Sequence, residues 1–201
     1  MLDRSTYLKL GLIAMVLGFG PTPRAMADTP KAQLQGTIER VLQVLQTIRS
    51  VEDIARNKGL LRQILLDRFD FAEMARRSLG SHWNNLNGKE GEFVSAFTQF
   101  IEGSYMGTLG SYRGEKIVYA HERVGQEFAE VDTRVVGGQG APIEIDYRLH
   151  LVGGEWKVYD VVIDQVSLVS NYRSQFRRIL RTASLEELLR KLREKGEGKE
   201  G

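Results

Sequence analysis

The chain has 201 residues, and its 28 lysines and arginines nearly balance 26 aspartates and glutamates, for a formal net charge of +2. This balance argues against a nucleic-acid partner, because neutralising a phosphate backbone requires a concentrated basic face. The absence of cysteine excludes disulfide bonds and the lipid-modified cysteine of a lipoprotein.

The first 27 residues have the pattern of a cleaved export signal. Arg4 and Lys9 flank the start of an apolar run from Leu10 to Gly20, and Ala25-Met26-Ala27 forms a small-residue cleavage site. The apolar run is shorter than the roughly 20 residues that a membrane-spanning helix needs. The sequence therefore predicts export to the periplasm.

Helical patterns fill the first half of the remaining chain. The spacing of apolar residues predicts helices over Gln33–Ala55, Lys58–Leu66, Phe71–Leu79 and Lys89–Leu109. Gly80 is expected to end the third of these, and the fourth is the most aromatic helix in the chain.

Four strands are predicted next. Three cover Lys116–Glu122, Glu127–Val136 and Pro142–Val152, and the fourth begins at Trp156 after a Gly-Gly turn. In the third strand the apolar and polar residues alternate. One face is therefore predicted to carry Ile143, Ile145, Tyr147, Leu149 and Leu151, and a solvated face to carry Glu144, Asp146, Arg148 and His150.

The segment Trp156–Phe176 changes its apolar period from two to about 3.6, so a strand is expected to run into a helix. Strand periodicity places Val158, Asp160 and Val162 on one face. A last helix, Ser184–Lys195, begins with a capping box. The fold class is α+β: N-terminal helices, a curved four-stranded antiparallel sheet and C-terminal helices.

The length fits one domain, assigned to residues 28–195 and followed by a disordered, glycine-rich tail over 196–201. Enzyme motifs are absent from the sequence. The three histidines are far apart, without the spacing of metal ligands. Asp160 and Asp164 are interpreted as hydrogen-bonded carboxylates at a strand end rather than as a catalytic pair. No catalytic residue, metal site or cofactor is predicted.

Three stretches resemble one family. They are Phe69–Trp83, the aromatic helix Phe93–Tyr105, and Trp156–Phe176, which contains Val-Ser-Leu-Val-Ser-Asn-Tyr-Arg. Together they are similar to the MlaC-type family, the toluene tolerance proteins, which are periplasmic phospholipid-binding components of an ABC transport system. The sequence departs from the family at Gln165, where the family usually has glycine.

The resemblance implies a soluble carrier that holds phospholipid acyl chains in an apolar cavity between sheet and helices, with the phospholipid as cargo and no cofactor. Periodicity alone does not distinguish such a cavity from a filled core. Carried onto this chain, the expected lining residues are Phe97, Ile101, Tyr105, Met106, Ile145, Tyr147, Leu149, Val158, Val162, Leu168, Val169 and Tyr172.

The resemblance also implies the partners: an inner-membrane ABC transporter with an MCE-domain subunit, and an outer-membrane lipoprotein associated with a porin. Lipid shuttling between these complexes would maintain the lipid asymmetry of the outer membrane. Two basic C-terminal faces could meet an acidic partner or phosphate headgroups, although a solvated helix face is the more ordinary interpretation: Arg173, Arg177, Arg178 and Arg181, then Arg190, Lys191 and Arg193.

Three alternatives stay open at the level of sequence. The cargo could be a hopanoid or another apolar lipid. The fold could be a cone-shaped α+β enzyme that uses Asp160 or His121 in an apolar cavity, where burial raises the pKa of a carboxyl group. The chain could also be a structural or adaptor protein whose apolar residues are all core.

Overall fold

A computed structural model describes residues 28–109, 112–137 and 141–197. The predicted export signal lies outside the described residues, as do positions 198–201 of the predicted tail. Among the described helices, none has both the length and the apolar content needed to cross a bilayer.

Along the chain, helices precede and follow the strands of one antiparallel sheet. The helices are α1 (Pro30–Thr47), α2 (Val51–Arg68), α3 (Phe71–Leu79), a short 3-10 helix (Gly80–Asn85), α4 (Glu90–Leu109), α5 (Leu168–Ile179) and α6 (Leu185–Gly196). The strands are β1 (Lys116–Val124), β2 (Phe128–Val136), β3 (Ile143–Val152), β4 (Glu155–Ile163) and β5 (Val166–Ser167). The α+β class is confirmed, and helix α6 includes Gly196, the first residue of the predicted tail.

The first predicted helix is wrong in its extent, because α1 ends at Thr47 and α2 begins at Val51. The break is fixed by a capping box. The Ser50 hydroxyl accepts a hydrogen bond from the Asp53 amide at 3.3 Å, and the Ser50 amide donates to the Asp53 carboxylate at 3.1 Å. These bonds satisfy amides that a helix start would otherwise leave unpaired. Helix α2 therefore starts well before the predicted Lys58.

The sheet has five strands in the order β1-β2-β3-β4-β5, all antiparallel, where four were predicted. The additional strand, β5, has only two residues and pairs with the end of β4. Asp164 and Gln165 form the turn between them with φ of 46° and 68°. This left-handed conformation favours glycine, so the residue that the family usually has would fit the backbone at position 165 without the strain that Gln165 carries.

A β-bulge in β4 changes which side chains share a face. Leu149 pairs with Val158, whereas the neighbouring Arg148 pairs with Asp160, so Tyr159 is the additional residue. Val158 consequently faces α1, and Asp160 lies with Arg148 on the opposite face of the sheet. The prediction that Val158 shares a face with Asp160 is therefore wrong, because periodicity assumes an unbroken pleat.

The described residues form three hydrophobic clusters, of which the smallest joins Leu45 of α1 to Leu61 of α2. The helical core is formed by α3, α4, α5 and α6, and it includes Phe93, Phe97, Phe176 and Leu188. The sheet core lies between α1 and the strands, and it includes Leu34, Val131, Leu149 and Val158. Phe69, whose neighbour Asp70 donates its amide to the Val158 carbonyl at 2.8 Å, packs against both cores.

Helices α4 and α6 approach so closely that they require glycine. A Cβ atom at Gly103 would lie 2.5 Å from the carbonyl oxygen of Gly196. We expect Gly103→Ala to lower the free energy of unfolding by about 1–3 kcal/mol, measured by chemical denaturation, because backbone atoms must move. Gly91→Ala is the matched control on the same helix, since its Cβ would meet nothing within 4 Å. Equal stability of the two variants would contradict this packing.

Candidate functional site

An apolar cavity of about 560 Å³ lies between α1 and the sheet. Its volume is within the range of small-molecule sites. Helix α1 covers it, strands β1, β2 and β3 form the opposite wall, and α2 closes one side. The lining includes Leu34, Thr37, Ile38, Val41, Leu42, Leu45, Leu65, Phe69, Tyr112, Glu115, Ile117, Val135, Ile143, Ile145 and Tyr147.

The walls of the cavity follow from two sequence periods. Ile38, Val41, Leu42 and Leu45 recur at spacings of three and four residues, which places them on one side of α1. Alternate residues of β3 point to the same face of the sheet and meet them. Between this stripe of medium-sized aliphatic side chains and the sheet there is an open space.

The cavity opens toward the end of the sheet where β2 meets β3. Ile143 at this end is 44% exposed, whereas Leu34 at the other end is completely buried. Glu115 lines the cavity near its mouth, and its carboxylate accepts a hydrogen bond from the Arg113 amide at 2.7 Å. That bond lowers the pKa of Glu115, so its carboxylate is charged at neutral pH. An apolar interior with an ionic rim suits an amphiphilic ligand.

A polar clamp holds α1 against β4 at the closed end. The guanidinium group of Arg68 donates to the Thr37 hydroxyl at 3.1 Å, to the Gln33 side-chain oxygen at 2.7 Å, and to the Trp156 carbonyl. The same Gln33 oxygen accepts the Trp156 amide at 3.0 Å. Burial lowers the pKa of Arg68 from its very high ordinary value. The clamp fixes the first turns of α1 and therefore the position of the cavity wall.

Two tyrosines face the same side of the sheet as the cavity. Burial raises the pKa of Tyr147, which lines the cavity, to about 12. Burial, and then the charge of Tyr147, also raise the pKa of Tyr119. The Tyr119 hydroxyl is buried without a hydrogen-bond partner among the described residues. Both phenols are neutral at physiological pH, so they add no charge to the cavity wall.

The predicted lining residues separate into two groups. Ile145 and Tyr147 line the cavity, and Leu149 and Val158 lie beside it in the sheet core, both with no exposed surface. Val162 is buried and pairs with Asp146. Because it comes after the bulge, its side chain lies on the face of the sheet opposite the cavity.

The remaining predicted residues lie away from this cavity. The helical core contains or contacts Phe97, Ile101, Leu168, Val169 and Tyr172. Tyr105 is 37% exposed, and its hydroxyl lies 3.4 Å from that of Tyr172. Met106 belongs to α4, but its side chain is outside the described part of the chain.

The sequence interpretation did not include the α1 residues of the lining, Ile38, Val41, Leu42 and Leu45. The apolar stripe that these residues form is recognisable in the sequence, and it could have been predicted as part of the lining. An amphipathic helix that covers a cavity has the same period as one that covers a core, however, and the family resemblance drew attention to the aromatic helix instead.

The predicted structural role of the Asp160 carboxylate is confirmed. It accepts hydrogen bonds from Arg148 at 3.1 Å, from the Ser167 hydroxyl at 2.6 Å and from the Val169 amide at 3.0 Å. These bonds join β3 and β4 to the start of α5. Asp160 is not among the residues that line the cavity, and His121 is exposed on β1. The geometry therefore places neither candidate acid or base in the cavity.

The face of β3 that was predicted to be solvated is partly covered. His150 lies 3.0 Å from the Asp70 carboxylate, and its side chain is only 16% exposed. The prediction was wrong for His150 because the start of α3 packs beside β4, and Tyr159 stacks edge-on to the imidazole ring.

Three carboxylates on the same face lie close enough to be considered as metal ligands. Oxygen atoms of Glu130, Asp132 and Asp146 are within 4.8 Å of one another. Arg123 pairs with Asp132 at 2.9 Å and with Glu130 at 3.1 Å, which compensates much of their charge. Burial and the neighbouring carboxylates raise the pKa of Asp146. The cluster is an ion-pair network of the sheet surface.

Comparisons with known proteins agree with this architecture. The intermembrane phospholipid transport system binding protein MlaC of Haemophilus influenzae is 25% identical over 192 residues, covering 91% of this chain and 90% of that protein. The toluene tolerance protein ttg2D of Pseudomonas putida is 25% identical over 174 residues, covering 84% of this chain and 80% of that protein.

A solved structure has the same fold. It is a phospholipid-binding protein from Ralstonia solanacearum in complex with a phospholipid, with a TM-score of 0.69 and 24% identity. The match covers 82% of this chain and 97% of the other. A sequence model described as MlaC protein matches residues 35–194. The resemblance is confirmed, and because this match spans well over half of the sequence, the chain belongs to the MlaC protein family.

Proposed function

We propose that this chain is a periplasmic carrier that binds the acyl chains of a phospholipid in the cavity between α1 and the sheet. The observation that carries the proposal is an apolar cavity of about 560 Å³ that opens at one end of the sheet. Relatives named as phospholipid-binding and phospholipid transport proteins support the same cargo. The aliphatic interior would hold the tails, and the headgroup would remain near the rim.

In this proposal, Ile145 and Tyr147 contact the tails from the sheet, and Ile38, Val41 and Leu42 contact them from α1. Leu149 and Val158 support the closed end of the cavity from beneath. The predicted residues of α4 and α5 act indirectly, because their packed core positions the sheet edge to which α3 and α5 are attached.

Burial energy implies how the cargo must be exchanged. A diacyl lipid has roughly 30 methylenes, and at about 0.8 kcal/mol each their complete burial would release on the order of 24 kcal/mol. This exceeds the practical ceiling of about 18–21 kcal/mol for non-covalent binding, so the tails are only partly enclosed or their ordering is costly. Release into water would still be slow. The carrier is therefore expected to pass its lipid directly to another apolar site.

This exchange would take place at membrane complexes. We propose an inner-membrane ABC transporter with an MCE-domain subunit and an outer-membrane lipoprotein with its porin as the docking partners. Transfer between them would maintain the lipid asymmetry of the outer membrane. The name of the Haemophilus relative, which specifies an intermembrane phospholipid transport system, supports such a role.

Native mass spectrometry of the protein purified from a Gram-negative periplasm tests the proposal. We expect a complex with bound phospholipid in stoichiometric amount, and extraction into solvent should identify its headgroup and chains. A hopanoid or another lipid without phosphate would contradict the phospholipid assignment while retaining the cavity. A folded protein that purifies without any lipid would contradict the carrier function and favour an adaptor.

A further inference from the structure

The two basic C-terminal faces differ in their ion pairing. In α6, Arg190 and Lys191 pair with Glu187 at 2.6 and 3.6 Å, and Arg193 pairs with Glu92. The charge of this face is therefore locally compensated. A basic face of this kind attracts anions only weakly.

Within the part of the chain that the structure describes, the arginines at the end of α5 have no such compensation. Arg177, Arg178 and Arg181 are exposed, and none of them forms an ion pair or hydrogen bond with the described residues. The helix dipole favours cations in the last turn, where Arg177 and Arg178 lie, but Arg181 lies beyond the end of the helix. The three guanidinium groups form one uncompensated cluster.

The depression beside this cluster is lined by polar and charged residues. A shallow depression of about 270 Å³ is lined by Arg177, Arg178 and Arg181 with Asn171, Ser174 and Gln175. Among the described residues, none of the large apolar side chains that are exposed lies between positions 168 and 181. Specific protein interfaces depend on apolar or aromatic residues at their centre, and the residues that line this depression are all polar or charged.

We propose that Arg177, Arg178 and Arg181 form an electrostatic docking surface for anionic phospholipid bilayers. Guanidinium groups match the geometry of phosphate, and a bilayer presents many phosphates on a surface without pockets. Because no apolar side chain would insert, contact would be reversible and sensitive to salt. A weak contact of this kind would hold the protein near a membrane while leaving it free to depart.

Vesicle co-sedimentation of the full protein tests this surface. We expect binding to vesicles of equimolar phosphatidylethanolamine and phosphatidylglycerol at low salt, and none to phosphatidylcholine vesicles. Each arginine should raise the affinity for these vesicles roughly five-fold, which is equivalent to about 1 kcal/mol. Changing all three to glutamine should therefore weaken binding on the order of 100-fold. Binding should also disappear at about 1 M salt, where the Debye length is about 3 Å.

The ion-paired face of α6 provides a control with the same change in net charge. Arg190→Gln, Lys191→Gln and Arg193→Gln together should leave most of the binding, because those cations are already compensated. Equal loss in the two triple variants would show a general charge effect and overturn the proposal. Unchanged binding by the α5 variant would also overturn it. Failure of the original protein to bind anionic vesicles would overturn it in favour of an acidic protein partner. The readout needs no cargo, so none of these outcomes decides whether the cavity holds lipid.

Discussion

Replacing Ile145 with tryptophan should weaken phospholipid binding by about 50- to 200-fold without unfolding the protein. Ile145 lies on the wall of the cavity between α1 and the sheet, and an indole ring there would occupy space proposed for the acyl chains. Exclusion of three or four methylenes costs roughly 2.4–3.2 kcal/mol of binding free energy, which corresponds to about 50- to 200-fold weaker binding. Titration with a fluorescent phospholipid measures the change.

Val118→Trp is the matched control for this variant. Val118 is also a β-branched strand residue, but it is 48% exposed and pairs with Arg134 rather than facing α1. The control should bind lipid as the original protein does. The free energy of unfolding of both variants should lie within about 1 kcal/mol of that of the original protein, because each substitution adds apolar atoms to open space. Unchanged phospholipid affinity in a folded Ile145→Trp protein would contradict the assignment of the cavity.

The second large effect is expected at Asp160, in folding rather than in binding. Asp160 is 3% exposed, and both of its carboxylate oxygens accept hydrogen bonds. In Asp160→Asn, an amide group would face either the Arg148 guanidinium or the Val169 amide, which also donate. We expect the free energy of unfolding to fall by about 2–4 kcal/mol, because a charge-assisted bond is lost and a buried donor is left unpaired. Urea denaturation measures this.

Asp164→Asn makes the same chemical change four residues away. Asp164 is exposed, and its φ of 46° lies in the left-handed region that asparagine tolerates. Its Oδ1 atom accepts the Glu144 amide at 3.2 Å, and asparagine keeps an oxygen that can accept this bond. The free energy of unfolding should therefore change by less than about 0.5 kcal/mol. If Asp160→Asn proved as stable as this control, the hydrogen bonds that join β3, β4 and α5 would not be structural.

Local rules in the sequence predicted much of the fold. In α3, the inward positions Phe71, Met74 and Leu79 are buried as their spacing indicated. In α6, the Ser184 hydroxyl accepts the Glu187 amide at 3.3 Å, which is one of the two bonds of the predicted capping box. These predictions succeeded because a helix face or a cap depends on residues only a few positions apart.

Features that depend on register or on distant partners were not predictable in the same way. Tyrosine is not a residue type that indicates a bulge, so the bulge at Tyr159 can be recognised only when β4 is paired with β3. The cavity could not be predicted from the sequence either, because Ile38 and Val41 would show the same period above a filled core. Whether space remains beneath α1 depends on sheet curvature and on the clamp at Arg68, which joins three elements.

Photocrosslinking of a bound phospholipid would test the central claim most directly. The protein would be loaded with a phospholipid that carries a photoreactive group on one acyl chain, irradiated, digested and analysed by mass spectrometry. The proposal predicts adducts on α1 at Ile38, Val41 or Leu42 and on β3 at Ile145 or Tyr147. Adducts concentrated on Phe97, Tyr172 and Phe176 would contradict it, because they would place the tails between α4 and α5 in the helical core.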